Sequence, residues 1–197
     1  MDLEPIPGQT PIDPSHLLAW LKPIIRTRAA LDLAEADNIR RAMLKYLAGR
    51  RVRIGSGRLG LLMRVHRDML GRVWNYAGRL RTENLNLGLN CPLIQPALQD
   101  MLYDLEEWNK SGMDLIEQAA MLHYRCVAIH PFLGGNGRWA RLMANIYLRQ
   151  HSQPIVDWPD TRLADSDIRT EYIAAIKKAD QGYFAELIEL HRRFSAS

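Results

Sequence analysis

The sequence predicts an all-α fold, and the spacing of its apolar residues supports this prediction. Apolar residues recur at three- and four-residue steps, the period of a helix packed on a core, over seven stretches. These predicted helices cover residues 32–49, 59–76, 94–108, 113–129, 138–150, 166–181 and 183–194. With 197 residues, the chain is long enough for one domain with its own hydrophobic core.

Residues 81–90 are the one stretch with a different period. Leu85, Leu87 and Leu89 alternate with polar residues there, which is typical of a strand. Two interpretations fit this alternation: a loop that lays three leucines on the core, or a small hairpin with an open edge.

The first 31 residues predict an N-terminal arm with a short helix, followed by a single domain over residues 32–197. Prolines rule out a regular helix at the start, and they lie at Pro5, Pro7, Pro11 and Pro14. A short helical turn follows, which Pro23 interrupts. Ile6, Ile12 and Leu17 favour an arm that docks on the domain over a disordered tail.

Composition is that of a globular protein, with 47% hydrophobic and 24% charged residues. Cys91 and Cys126 form no disulfide framework and no metal-binding spacing, so we expect a reducing, cytoplasmic compartment. Neither a signal peptide nor a membrane-spanning segment is expected from the pattern.

A formal net charge of +4 allows contact with anions such as nucleic acid. The basic residues concentrate between Arg40 and Arg72. Aromatic residues are not interleaved with them, so we favour a solvated helix surface and consider nucleic-acid binding unlikely.

The stretch His130–Arg141, written HPFLGGNGRWAR, carries the strongest functional signal. Glycines at 134, 135 and 137 surround Asn136 just before a predicted helix, and such a loop can point backbone N–H groups at an anion. Arg138 and Arg141 lie in the first turn of that helix, where acidic residues are usual. A bound phosphate would compensate for this unusual charge.

Histidine at the start of this stretch adds a candidate base. His130 can accept a proton near neutral pH, as a hydroxyl requires before it attacks phosphorus. His123 lies seven residues earlier, but no third ligand has suitable spacing, so we interpret it as an ordinary, partly buried histidine.

The stretch closely resembles the Fic motif, H-x-F-x-[D/E]-G-N-G-R-x-x-R. It matches at His130, Phe132, Gly135, Asn136, Gly137, Arg138 and Arg141, and departs where Gly134 replaces the usual acid. Residues 73–82 and 172–187 resemble the family too. The Pro-rich start, the predicted helix over residues 32–49 and the C-terminal segment resemble the small stand-alone bacterial branch labelled mobile mystery protein B.

The resemblance implies a nucleotidyltransferase that transfers AMP from ATP to a protein hydroxyl. In this role His130 would be the base, Phe132 would anchor the loop, and Arg138 would also assist catalysis. Phosphates would contact Gly135, Asn136, Gly137, Arg138 and Arg141. Because the family binds Mg²⁺ through the acid that Gly134 replaces, the resemblance predicts no metal ligand from the protein and only weak use of Mg²⁺.

The family also carries a flap just before its core helices that aligns a target protein by strand addition. The resemblance therefore favours the hairpin at residues 81–90 and implies an all-α, Fic-type helical bundle with a small β-hairpin flap. It corresponds here to Thr82, Glu83, Asn84, Leu85, Asn86 and Leu87. Many members are inhibited by a glutamate in the pattern [S/T]-x-x-x-E-[G/N], which pairs with the second arginine of the motif. No such pattern occurs in this sequence, so we predict no internal inhibitory glutamate and a regulatory partner, if any, in trans.

Three functional classes therefore stay open. The first is an active adenylyltransferase with an atypical motif. The second is a degenerate Fic fold that binds a nucleotide or a protein, and the third is a nucleic-acid-binding helical domain. The intact His130, Asn136 and Arg138 favour the first class.

Overall fold

The structure is a computed structural model that describes residues 13–159 and 167–195. These residues form a 3-10 turn, Pro14–His16, and seven α-helices. The helices are α1 (Arg28–Met43), α2 (Leu59–Leu70), α3 (Cys91–Ser111), α4 (Leu115–Ile129), α5 (Asn136–Gln150), α6 (Asp167–Ala179) and α7 (Ala185–Arg193). A π-helical turn, Leu44–Ala48, extends α1. The all-α prediction is confirmed.

The predicted hairpin does not form. Within the described residues the only β contacts are two isolated bridges, Leu17 with Trp74 and Val156 with Ser195. The segment 81–90 is a loop whose backbone bonds reach elsewhere: Arg81 N–H donates to the Pro131 carbonyl (2.9 Å) and Leu89 N–H donates to Ile129 (3.3 Å). We call residues 81–90 the flap loop. It is tied to the end of α4 instead of pairing with itself.

Helix α5 lies at the centre of the core. Its predicted apolar stripe is buried, and burial continues around the helix. Trp139, Ala140, Met143, Tyr147 and Leu148 have no exposed surface. α4 and α2 pack against α5, so the stretch between α4 and α5 is fixed at both ends by buried helices.

Helix α1 differs from its prediction in both start and orientation. It begins at Arg28, because the Thr27 side chain caps it by accepting from Ala30 N–H (3.3 Å). Apolar spacing predicts a buried face of Leu33, Ala36, Ile39, Met43 and Leu47. This face is wrong, since Leu33 is 74% exposed. The buried residues are Leu31, Glu35, Asn38 and Ala42. A carboxylate and an amide of α1 therefore point into the protein.

Helix α2 ends at Leu70, earlier than predicted, and residues 71–78 form turns. This segment pairs with the N-terminal arm: Leu18 N–H donates to Val73 (3.0 Å), and Asn75 N–H donates to His16 (3.0 Å). Leu17 is buried in the common core, as expected for a docked arm. Ile6 and Ile12 lie outside the described residues.

The C-terminal helices close the bundle over α4. Helix α7 packs against both α4 and α6. The predicted start of α6 at Ser166 falls outside the described residues. Among the helices of residues 13–159 and 167–195, none combines the length and apolar character needed to span a bilayer.

Candidate active site

His130 stands at the point where α4 stops. Its N–H still donates to the Cys126 carbonyl (3.3 Å), but its backbone turns into the left-handed region (φ 50°, ψ 60°). This conformation is uncommon for a residue with a side chain. It ends the helix abruptly and aims the chain into the glycine-rich loop.

Burial keeps the His130 imidazole neutral. Removal from water and, to a smaller extent, the positive charge of Arg81 lower its pKa to about 4, against the opposing effect of a hydrogen bond to the Val127 backbone. Near neutral pH the ring is therefore uncharged and can accept a proton.

Asn136 and Phe132 hold the loop in one shape. The Asn136 amide accepts from Phe132 N–H (3.0 Å) and donates to the Phe132 carbonyl (2.8 Å). Phe132 is fully buried, edge-on to the Trp139 ring at 5.0 Å between centroids. The structure is consistent with Phe132 as the loop anchor, and it shows that the Asn136 side chain also serves the loop backbone.

His66 of α2 holds the loop through ring stacking and a hydrogen bond. Its ring stacks on Phe132 with centroids 3.6 Å apart. One nitrogen accepts from Gly78 N–H (2.9 Å), so the other donates to the Gly134 carbonyl (2.9 Å). Burial lowers the pKa of His66 to about 3, so this neutral tautomer persists. The sequence analysis missed this residue, because nothing in the spacing of α2 sets it apart.

The start of α5 offers backbone donors. Gly135 precedes the helix with φ 78°, a conformation that favours glycine. The first N–H groups of a helix have no intrahelical acceptor, so those of Asn136 and Gly137 can bind an anion. A Cβ atom added at Gly137 would meet no atom within 4 Å, so there is room for an anion beside this residue.

Arg138 contacts a glutamate of the same chain. Its guanidinium lies 2.5 Å from Glu35 of α1, and the other carboxylate oxygen of Glu35 accepts from the Trp74 indole N–H (2.6 Å). This contact involves the first motif arginine, whereas the family's inhibitory glutamate pairs with the second, here Arg141, so the absence of an internal inhibitory glutamate stays a prediction. The pattern search missed Glu35 because Leu31 and Ala36 flank it where the family pattern requires Ser or Thr and Gly or Asn.

Arg141 lies towards the C-terminal helices. Its positive charge acts on the buried Tyr172 and His123. The two motif arginines thus have different neighbours, since Arg138 contacts α1.

Arg81 is a second residue that the sequence analysis missed. Its residue surface is 4% exposed, and it donates to the carbonyls of His130 (2.8 Å), Glu83 (2.8 Å) and Leu89. The Arg81 guanidinium also donates to the Cys91 sulfur at 3.4 Å. The cation therefore joins the flap loop and the His130 backbone into one hydrogen-bonded unit.

The proposed docking residues of the flap lie on the outside of this unit. Thr82, Glu83, Asn84, Asn86 and Leu87 are exposed, and Leu85 is half-buried. The Asn84 side chain accepts from Cys91 N–H (2.9 Å) and so fixes the far end of the flap loop on α3. The flap loop is open to solvent beside His130.

Gly134 faces the Tyr76 hydroxyl. A Cβ atom at this position would lie 2.6 Å from the Tyr76 oxygen. Magnesium is usually held by one or two carboxylates plus phosphates, and both oxygens of Glu35 are already engaged. Nowhere in the described residues do three His, Cys, Asp or Glu side chains gather to bind a metal. The residues at Gly134 do not fit a magnesium ligand set.

His123 is fully buried, contrary to the prediction of partial burial. Its ring contacts His191 (3.3 Å) and the Tyr172 hydroxyl (3.1 Å), while His191 donates to the Leu187 carbonyl (2.8 Å). Burial lowers the pKa values of both histidines. The three side chains join α4 to α6 and α7.

The basic stretch between Arg40 and Arg72 is partly neutralised. Arg40 and Arg41 pair with Asp37 (3.2 and 2.8 Å), and Lys45 pairs with Asp68 (2.6 Å). These contacts are exposed and agree with a solvated surface.

Fold and site together define a class of protein: a helical domain whose central helix begins at a glycine-rich loop beside a neutral histidine. Comparisons with known proteins agree. Residues 58–148 match the model of the Fic/DOC family. The chain is 33% identical over 126 residues to Protein adenylyltransferase fic-1 of Caenorhabditis briggsae. It is 29% identical over 175 residues to Protein adenylyltransferase Fic of Drosophila ananassae.

These matches cover 61% and 84% of this chain, but only 24% and 34% of the two relatives. Among solved structures, a fragment of Fic-1 from Caenorhabditis elegans aligns with TM-score 0.67 and 26% identity over 87% of this chain and 51% of that one. BepC of Bartonella tribocorum, with bound AMPPNP, aligns with TM-score 0.67 and 16% identity over 87% and 89%. Residues 58–148 of this chain therefore form a region of the Fic/DOC family.

Proposed function

We propose that this protein transfers AMP from ATP to a hydroxyl side chain of a target protein. The observation that carries the proposal is the neutral His130 imidazole beside the glycine loop at the start of α5. The names of the animal relatives as protein adenylyltransferases support it, as does the AMPPNP bound to BepC.

In the proposed reaction, the target hydroxyl oxygen attacks the α-phosphorus of ATP. The new bond joins that oxygen to phosphorus, the bond from the α-phosphorus to the bridging oxygen breaks, and pyrophosphate leaves. His130 accepts the hydroxyl proton. The N–H groups of Asn136 and Gly137, together with Arg138 and Arg141, bind the phosphates and stabilise charge on the leaving group.

ATP itself tunes the base in this proposal. A pKa of about 4 makes His130 a weak base in the free protein. The negative charges of a bound triphosphate favour the imidazolium and raise this pKa towards neutrality. The base becomes effective when the substrate is present.

Arg138 must leave Glu35 to bind phosphate. The carboxylate and a phosphate are both anions, and they compete for the same guanidinium. The ion pair therefore weakens ATP binding, and Glu35→Gln is expected to tighten it. A target or a regulatory partner that moves α1 would have the same effect.

The flap loop is the proposed target-docking site. Exposed backbone at residues 82–87 can pair with an extended segment of a target, although the loop is not itself a hairpin. Its attachment to the His130 carbonyl through Arg81 sets the distance between the target hydroxyl and the base.

The decisive experiment incubates the protein with α-labelled ATP and a cell lysate, and compares wild type with His130→Ala. His151→Ala is the matched control, because His151 is a half-buried histidine at the far end of α5. Labelled protein that disappears only with His130→Ala supports the proposal. Equal labelling by both variants contradicts it.

A second candidate is a nucleotide-binding module without transfer activity. The contact of Glu35 with Arg138 favours it over transfer, because a guanidinium paired with Glu35 does not stabilise charge on the leaving group. Calorimetry with AMPPNP separates the two candidates. Arg138→Ala should weaken binding by roughly 1.5–3 kcal/mol under either one, the value of a charge-assisted hydrogen bond. Binding without labelling in any lysate supports the module.

A further inference from the structure

Gly134 is not required by its backbone conformation. The described glycines with positive φ include Gly135 but not Gly134, so a residue with a side chain could adopt the same backbone. What a side chain would meet at this position is Tyr76. Its hydroxyl oxygen would lie 2.6 Å from the new Cβ and its ring carbon Cζ 3.4 Å away.

Tyr76 cannot easily move aside. Its ring stacks on Trp74 with centroids 5.5 Å apart and meets the His16 ring edge-on at 5.6 Å. The ring of His66 lies 6.4 Å away on the same side as the loop. Trp74 is itself held by Glu35, so the phenol is confined by neighbours that have fixed partners.

The Tyr76 hydroxyl lies where it can contact a molecule bound at the loop. No backbone or side-chain group in residues 13–159 or 167–195 forms a hydrogen bond with it. Burial raises the pKa of the phenol above its ordinary value, so the hydroxyl keeps its proton. The charges of Glu35 and Arg138 both act on it. The oxygen therefore lies between the loop at Gly134 and the arginine expected to bind phosphate.

We propose that Tyr76 and Gly134 form a matched pair in which the phenol occupies the space of the missing acid and its hydroxyl donates to a substrate phosphate. The inference rests on the proposed nucleotide-binding function. It makes Tyr76 a specificity-determining residue: a neutral donor replaces an anionic metal ligand, so the loop binds the nucleoside triphosphate without a divalent cation. Gly134 is glycine because Tyr76 needs the space.

The pair also explains why an acid at 134 does not suffice to create a magnesium site. Gly134→Asp drives the new side chain into the confined phenol, and overpacking of this kind is destabilising. Magnesium dependence should appear only when the phenol is removed as well. A double-mutant cycle with Tyr76→Ala, Gly134→Asp and the double variant measures this coupling.

The first test is calorimetric binding of AMPPNP in EDTA and in excess Mg²⁺. We expect wild type to bind equally in both buffers, and Tyr76→Phe to bind about threefold to tenfold more weakly in both, the effect of losing one hydrogen bond. Tyr103→Phe is the matched control, since Tyr103 is 60% exposed on α3, and it should bind like wild type.

The second test uses the cycle. Gly134→Asp alone should lower the melting temperature, and the double variant should recover it and bind Mn²⁺ in an electron paramagnetic resonance titration. Binding of AMPPNP by wild type only with Mg²⁺, unchanged binding by Tyr76→Phe, or additive melting temperatures would each overturn the matched pair. No binding of AMPPNP in either buffer would overturn the proposed nucleotide function itself, and the role of Tyr76 with it.

Discussion

Replacing Arg81 with methionine tests whether the buried cation stabilises the site. Methionine keeps a long unbranched side chain but removes every donor. The carbonyls of His130, Glu83 and Leu89 then lose the guanidinium. The flap loop loses its attachment to the end of α4.

The size of the effect follows from the exposure of each acceptor. The His130 carbonyl lies at the end of α4 in a half-buried residue, and leaving it without a donor costs about 1–3 kcal/mol. The other two carbonyls lie in the flap loop and can bind water, so each loses about 0.5–1.5 kcal/mol. Because a buried cation no longer has to be dehydrated, part of this cost is offset. We expect the free energy of unfolding to fall by about 2–4 kcal/mol.

The same change should raise the pKa of His130. Arg81 is one cause of the low value of about 4, and removing its charge moves the pKa towards the ordinary 6.5. Urea unfolding at a constant m-value measures the first effect, and an NMR titration of the imidazole measures the second.

Arg79→Met is the matched control for Arg81→Met. Arg79 is exposed two residues away, and its replacement should alter stability by less than about 0.5 kcal/mol. If Arg81→Met unfolds at the same urea concentration as wild type and leaves the His130 titration unchanged, the cation does not have the role described.

Three further predictions concern acid, the loop amide and the loop glycines. His66 and His191 have folded pKa values of about 3 and 4, below their unfolded value near 6.5. Their contribution to stability is therefore complete above pH 6.5 and should be lost as the pH drops from there through 4. Constant melting temperatures between pH 8 and 4 would contradict this. Asn136→Ala leaves two backbone groups unpaired and should cost about 2–4 kcal/mol in urea unfolding, against which an unchanged midpoint would count. Gly135→Ala should destabilise the protein by at least about 1 kcal/mol because φ is 78°, whereas Gly137→Ala meets no atom and should be nearly neutral; equal effects would refute the distinction.

Helices with apolar stripes could be predicted from the sequence, because their apolar residues repeat at the helical period on the face that is buried in the core. Leu98, Met101, Leu102 and Leu105 of α3 are all buried as expected. The same rule failed for α1, where the exposed Leu33 has the correct spacing and the buried Glu35 does not. A helix that presents polar groups to a site does not follow apolar periodicity.

Arg81 and the flap loop mark the other limit of sequence reasoning. Alternating leucines predicted a hairpin, but Leu87 is 68% exposed and a cation bonded to carbonyls holds the loop. A contact between a side chain and backbone carbonyls leaves no pattern in the residues that accept it, because every residue has a carbonyl. Motif positions were easier to predict, since side-chain chemistry itself defines them.

Two asparagines of α5 make the same contact, one at the first residue of the helix and the other in its second half. Asn136 bonds both backbone groups of Phe132, and Asn145 bonds both backbone groups of Val156 at 2.9 Å each. Each amide accepts one hydrogen bond from a backbone N–H and donates one to the carbonyl of the same residue, as a paired residue of a neighbouring strand does. Loss of ammonia from either amide would replace an N–H donor with an oxygen facing a carbonyl, so chemical ageing at a single asparagine would release one of the two loops that α5 carries.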